Sequence, residues 1–225
     1  MNKYIRQEIL EEIGIEGQKR IRNAKIAIIG LGALGTVTSE LLTRAGIGEL
    51  LLFDKDIIII ENLHRQVLYK EKHVGKSKVE IAKKELNEIN KDTKIKIIKE
   101  YLSKSNTKEL DDYDLILDCT DNMASRFIIN DYCQEKNKTW IHAAATGIKG
   151  NILVVDNPDK FKKIIRTGET FDNCNEIGVI NTITMIVSAT QVTQTIRIIT
   201  EKKHSKELIR INTWNNEYDS YNIKN

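Results

Sequence analysis

KIAIIGLGALG at Lys25–Gly35, followed by GELLLFDKD at Gly48–Asp56, decides how this chain is read. An apolar run enters a glycine-rich turn, a helix-length stretch follows, and a second apolar run ends in acid. That order is the opening strand–helix–strand of a nucleotide-binding fold. Gly30 permits the tight turn, and Gly32 lets the backbone approach a phosphate. Gly35 allows the following helix to pack closely, with its N-terminal N–H groups facing the anion. Asp54 ends the second strand about 20 residues on, where a carboxylate can accept from ribose hydroxyls. Taken alone, the motif leaves NAD and ATP both open.

Apolar periodicity assigns the elements on either side. Ile5, Ile9, Leu10 and Ile13 recur at helical spacing, so residues 3–22 are expected to form an N-terminal helix punctuated by Gly14 and Gly17. Ser77–Asn90 carries a helical apolar face of Val79, Ile81, Ala82, Leu86 and Ile89, and Ile95–Ile98 alternates with lysine as a strand does. Tyr113–Cys119, YDLILDC, is a short apolar run between polar turns, as in a buried parallel strand. Arg126–Glu135 reads as helix, Thr139–Ala145 and Gly150–Val155 as strands, and Ile180–Thr200 as a long helix. Leu208–Thr213 suggests a last strand. Asn157–Asn173 is polar, holds the only proline, and is expected to be a loop. This alternation predicts one α/β domain over residues 1–225, with a Rossmann-like, mainly parallel sheet and helices on both faces. Its nucleotide-binding core is expected over 25–155 and a C-terminal part over 174–225.

Composition narrows the function classes. With 40% hydrophobic and 30% charged residues the 225-residue chain reads as a soluble globular protein. Its net charge of +3, from 35 basic and 32 acidic residues, argues against a dedicated nucleic-acid binder. The lysine-rich stretch 83–99 also carries Glu and Asp, and so reads as solvated faces. No apolar run approaches a membrane span, and no signal peptide is recognised before the first helix. Cys119, Cys133 and Cys174 form no disulfide framework, so a cytoplasmic location is expected.

The segments after the second strand select the chemistry. They are NLHRQ at Asn62–Gln66, GKSK at Gly75–Lys78, and TDN at Thr120–Asn122 with Arg126 one helical turn on. YIRQ at Tyr4–Gln7 opens the N-terminal helix, AGIGELLLFDKD spans Ala45–Asp56, and CNEIGV lies at Cys174–Val179. In this order they resemble the ThiF/MoeB/HesA family of adenylating enzymes, relatives of the ubiquitin-activating enzymes, from Tyr4 to about Thr200. The resemblance implies that ATP and Mg²⁺ activate the C-terminal glycine carboxylate of a small ubiquitin-fold sulfur-carrier protein ending in Gly-Gly, with loss of pyrophosphate. It implies that Arg65 and Lys78 contact the ATP phosphates, that Asp121 binds Mg²⁺, and that Asp54 holds the ribose. Asp56, Asn62, Gln66, Asn122, Gly30, Gly32, Ala33 and Gly35 shape the nucleotide pocket. Arg6 acts as an arginine finger from the neighbouring subunit of a homodimer. Two arginines, a lysine and one carboxylate are the inventory that nucleotidyl transfer needs.

Without the resemblance these residues have plainer readings. Arg6, Arg65 and Lys78 would default to solvent, and Asp121 to a helix cap. GKS at Gly75–Ser77 imitates the end of a phosphate-binding P-loop, but Lys70 stands where its first glycine belongs and no strand precedes it. The four histidines show no metal spacing, and His142 is expected to be packed within a strand. Cys119 and Cys133 are expected in the core.

Three departures from the family pattern matter. Many members hold a structural zinc with two Cys-x-x-Cys pairs; three scattered cysteines cannot, so no zinc is expected. Ala33 stands where the family has glycine, which is tolerable only if its φ is negative. With no rhodanese-like segment recognised, sulfur transfer is expected to need a separate sulfur donor protein. Cys174 lies where some members carry out thioester or acyl-disulfide chemistry, so it is a candidate catalytic residue beside Arg6, Arg65, Lys78 and Asp121, although an inert loop cysteine reads equally well.

Alternative functions stay open at this point. ATP-dependent activation of another carboxylate, of the threonylcarbamoyl-tRNA dehydratase type, keeps the fold and the nucleotide. An NAD-dependent dehydrogenase explains Gly30–Asp54 but not NLHRQ, GKSK or TDN. A binding module that has lost catalysis would not be expected to retain Arg65, Lys78 and Asp121 together. The sulfur-carrier pathway itself, whether thiamine, molybdopterin or tRNA thiolation, is not specified.

Overall fold

A computed structural model describes residues 2–166, 178–201 and 205–222. Lys25–Ile29 (β1) and Glu49–Phe53 (β2) flank the helix Ala33–Ala45 (α3), as the opening motif requires. Two short helices precede them, Ile5–Glu8 (α1) and Gly14–Asn23 (α2). After β2 come the helix Lys78–Ile89 (α4), the strands Lys94–Ile98 (β3) and Leu115–Asp118 (β4), and the helix Met123–Lys136 (α5). The strands Trp140–Thr146 (β5) and Lys149–Val155 (β6), the helices Pro158–Arg166 (α6) and Asn181–Ile199 (α7), and the strands Leu208–Asn212 (β7) and Glu217–Tyr221 (β8) complete the described chain. All eight strands join one sheet in the order β3-β2-β1-β4-β5-β6-β7-β8. The pairs from β3 through to β5 are parallel, and those from β5 to β8 are antiparallel.

Strand alternation gives each sheet face its own core. Ile26 and Ile28 of β1, with Leu50 and Leu52 of β2, pack beneath α2, α3, α4 and α7 through Ile21, Leu42, Val79, Leu86 and Val187. Ala27, Ile29, Leu51 and Phe53 face the opposite way, toward Ile129 and Cys133 of α5 and Phe161 of α6. The period of two along the strands thus sends successive residues into different layers. Continuously apolar strands are what a sheet covered on both faces requires.

Two local readings need correction. The N-terminal helix is not continuous: the chain turns at Ile9–Ile13, and Gly14 enters α2 at φ +65°, a conformation glycine adopts without strain. Residues 158–166, read as loop, form α6. Pro158 takes the first helical position, where its missing N–H costs nothing, and Asn157 Oδ1 accepts from Asp159 N at 2.9 Å. Phe161 is buried and meets Trp140 edge-on at 4.9 Å. The antiparallel strand β8 had no expectation attached to it. The remainder of the expected loop, residues 167–173, and Cys174 lie outside the described residues. Among the described residues no helix is long and apolar enough to cross a membrane.

Candidate active site

Strand order reverses between β1 and β4, and a crevice forms outside the carboxyl ends of strands at such a point. A cavity of about 470 Å³ opens there. Its wall includes Gly30, Gly32, Ala33, Asp54, Asp56, Asn62, Arg65, Gln66, Lys78, Asp121 and Asn122, so residues from five separate segments are brought together.

The glycine turn builds the floor. Gly30 has φ +92°, and a Cβ there would stand 2.7 Å from the Cys119 carbonyl oxygen of β4's end. Gly35 is not in the wall; a Cβ on it would fall 1.9 Å from the Gly30 carbonyl oxygen, so it seats α3 on the turn. At Gly32 the nearest protein atom to a Cβ is Gln66 Nε2 at 3.8 Å, so no crowding within the protein requires glycine there. Ala33 begins α3 and is not among the residues of positive φ, so its methyl carries no backbone strain. The N-terminus of α3, with its unpaired N–H groups, therefore borders the cavity.

Acidic and basic groups face one another across this floor. Asp54 Oδ2 accepts from Leu31 N at 2.6 Å and Oδ1 from Asp56 N at 2.8 Å. Burial raises its carboxyl above the ordinary range. Lys78 Nζ donates to Asp56 Oδ2 at 3.0 Å, and the Tyr101 hydroxyl donates to Asp56 Oδ1. Burial pushes the Asp56 carboxyl up, but Tyr101 and Lys78 outweigh it and bring it below the usual value. Arg65 is half-buried and held by Glu61 O, which accepts from its Nη1 at 2.8 Å. Asn62 and Gln66 are buried beside it, and Asn62 Oδ1 accepts from Ile59 N.

The turn after β4 carries the third group. Asn122, not Asp121, caps α5: its Oδ1 accepts from Ser125 N at 2.9 Å. Asp121 consequently keeps its carboxylate out of hydrogen bonds and ion pairs among the described residues. A buried network pins this turn from below. Asp118 accepts from Thr120 N and Oγ1 at 2.9 and 2.7 Å and meets His142 Nδ1 at 2.7 Å and Arg126 Nε at 3.3 Å. Arg126 Nη2 also donates to Thr120 O at 2.8 Å. Gln191 of α7 ties the floor together by donating to Asp118 O and Ile141 O.

Not every candidate reaches the cavity. Arg6 is exposed on α1 and does not line it, and Cys174 lies outside the described residues. Two contributors escaped the sequence reading. Tyr101 had no motif around it, and its only signal was an aromatic just beyond the carboxyl end of a parallel strand. Asp118 looked like part of an apolar strand. His142 is packed within a strand, as expected, and its partner is Asp118.

Among the described residues no cluster of three His, Cys, Asp or Glu could hold a metal by itself. A lone carboxylate nevertheless suits Mg²⁺ delivered with a triphosphate, because phosphate oxygens and waters supply the other ligands. Asp121 fits that description.

The model of the ThiF family matches residues 4–225. "Adenylyltransferase and sulfurtransferase MOCS3" of Culex quinquefasciatus is 34% identical over 203 residues, 88% of this chain and 46% of that protein. "Probable molybdopterin-synthase adenylyltransferase" of Porphyra purpurea is 36% identical over 204 residues, 88% of this chain and 53% of that protein. The chain thus spans about half the length of these curated relatives. Among solved structures, E. coli MccB crystallised with ATP superposes with a TM-score of 0.83 at 24% identity, over 99% of this chain and 72% of that one. PaaA superposes at 0.77 and 21% identity, over 92% of this chain and 66% of that one. These two likenesses establish the fold.

Proposed function

The chain belongs to the ThiF family, and from that premise we propose that it adenylates the C-terminal glycine of a small ubiquitin-fold sulfur-carrier protein, with ATP as the nucleotide and Mg²⁺ as the metal. The observation that carries the reading is the cavity where Arg65, Lys78 and Asp121 stand around the α3 N-terminus and Asp54. The relatives named adenylyltransferase support it.

In this reading a carboxylate oxygen of the carrier attacks the α-phosphorus of ATP. The bond from that phosphorus to the α,β-bridging oxygen breaks, and pyrophosphate leaves with its electron pair. Asp54 orients the ribose. Gly32 and the first N–H groups of α3 approach the phosphates, and Lys78 and Arg65 neutralise charge that grows on the leaving group. Asp121 would hold Mg²⁺, which when bound screens the phosphate oxygens from the incoming carboxylate. No protein group need accept a proton, because the attacking carboxylate is already ionised.

Arg6 reaches no part of its own cavity wall, and a homodimer that supplies it in trans resolves its position. The apolar side chains around it favour such a contact: Ile5, Ile9 and Leu10 are exposed, and α7 exposes Met185 and Ile186. Exposed apolar side chains of this kind are what a protein interface uses. The functional test is intact-mass analysis of a small carrier ending in Gly-Gly after incubation with this protein, Mg²⁺ and ATP. An adenylate adduct on the carrier is the expected result, and its absence with every such carrier tried contradicts the reading.

A further inference from the structure

Lys78 stands at the first position of α4, fixed against the segment after β2 by a short backbone ladder. Lys78 N donates to Asp56 O at 3.0 Å, Ile58 N to Lys76 O at 2.9 Å, and Gly75 N to Ile58 O at 2.8 Å. Its side chain is only 8% exposed, and its ammonium meets one oxygen of Asp56. The other oxygen of that carboxylate is taken by the Tyr101 hydroxyl.

Tyr101 is held in turn. It follows β3, its carbonyl accepts from Asn106 Nδ2 at 3.0 Å, and Lys55 lies over its ring, 5.6 Å from the centroid. The residue is 59% exposed, so burial of apolar area contributes little to keeping it in the cavity wall. The hydroxyl–carboxylate hydrogen bond is the specific restraint.

We propose that Tyr101 is a positioning residue for the nucleotide's phosphates: by occupying Asp56 Oδ1 it limits that carboxylate to a one-oxygen grip on Lys78. An ammonium has three N–H donors, so this arrangement leaves the others to face the cavity. Without the hydroxyl, Asp56 closes on Lys78 with both oxygens. Its charge then competes with phosphate for the buried lysine. The phenol remains a donor throughout the neutral range, since its hydrogen bond to Asp56, with burial adding to it, pushes its pKa up to about 12. The inference rests on the adenylation reading for the identity of the ligand.

Tyr101→Phe keeps the ring and removes only the hydroxyl. The wild-type chain and this variant are titrated calorimetrically with Mg·ATP and with adenosine, after matched melting temperatures show both folded. Tyr101→Leu, which removes ring and hydroxyl together, serves as a second variant with the same expectation for ATP. ATP affinity is expected to fall about 10-fold in Tyr101→Phe, with adenosine affinity unchanged, because only the phosphates feel Lys78. Equal ATP affinity in variant and wild type, or an equal loss for ATP and adenosine, overturns the role. A wild-type chain that binds neither ligand overturns the adenylation reading, and this role with it.

Discussion

Arg65, Lys78 and Asp121 arrive at the cavity from a turn, a helix start and a post-strand loop, and none is held by apolar packing alone. Replacing each with alanine is expected to lower adenylate formation about 100-fold, equivalent to about 3 kcal/mol of transition-state stabilisation, while the far-ultraviolet spectrum stays unchanged. Full activity in any one variant removes that residue from the catalytic set. A second residue-level expectation concerns acid stability. Burial lowers the pKa of His142 and of His73. An unfolded chain binds a proton on each near pH 6.5, and the folded chain does so only at lower pH. The stability these rings contribute is therefore present above about pH 6.5 and lost as pH falls below it. Asp118 adds the same sign at more acid pH: burial raises its carboxyl, but Arg126, His142 and Thr120 bring it below the usual value. Melting temperatures taken between pH 8 and pH 5 should fall with acidification, and a rise contradicts neutral buried histidines. That Arg65, Lys78 and Asp121 meet at one cavity could be anticipated from the sequence because each lies inside a short ordered motif. Tyr101 could not, because its role exists only once β3 ends beside the segment after β2.

Elements divided along the same line. β1, α3 and β2 were legible because glycine punctuation, helix length and a terminal acid fall within one stretch. Three other stretches were harder. The five residues at Ile9–Ile13 keep helical apolar spacing although the chain turns there, so periodicity alone could not show the break before Gly14. At α6 the lysine-rich sequence masked a helix that buries an aromatic, Phe161, with Ile165 packed against the same core. Phe161 is fully buried and touches Phe127, Trp140 and His142 with ring centroids 6.0, 4.9 and 5.5 Å away. Phe161→Ala should destabilise the protein by about 3–5 kcal/mol, seen as a lower urea midpoint with unchanged slope. A change below about 1 kcal/mol would mean that α6 contributes little to the second core. β8 lacked a signal because all five of its residues are exposed, so no alternation of apolar and polar side chains marks it.

At the scale of the whole molecule, the carboxyl ends of the parallel strands border the cavity and the antiparallel strands extend the sheet. The position of Arg6, outside its own cavity, makes assembly part of the account. Arg6→Ala and Asp121→Ala are each expected to be inactive alone. Mixed after reversible dissociation they should recover activity, because one site of each heterodimer then has an intact Asp121 and an intact partner arginine. No recovery, despite heterodimers seen by native mass spectrometry, places Arg6 in its own subunit's site or outside catalysis. The central claim is that a carboxylate of a carrier protein attacks the α-phosphorus of ATP in this cavity. Its most direct test is exchange of labelled pyrophosphate into ATP, which requires reversible formation of the adenylate. The account predicts exchange that depends on both the protein and a carrier ending in Gly-Gly, and that is lost in Lys78→Ala. Exchange that proceeds equally without the carrier, or no exchange with any such carrier while ATP is bound, contradicts it.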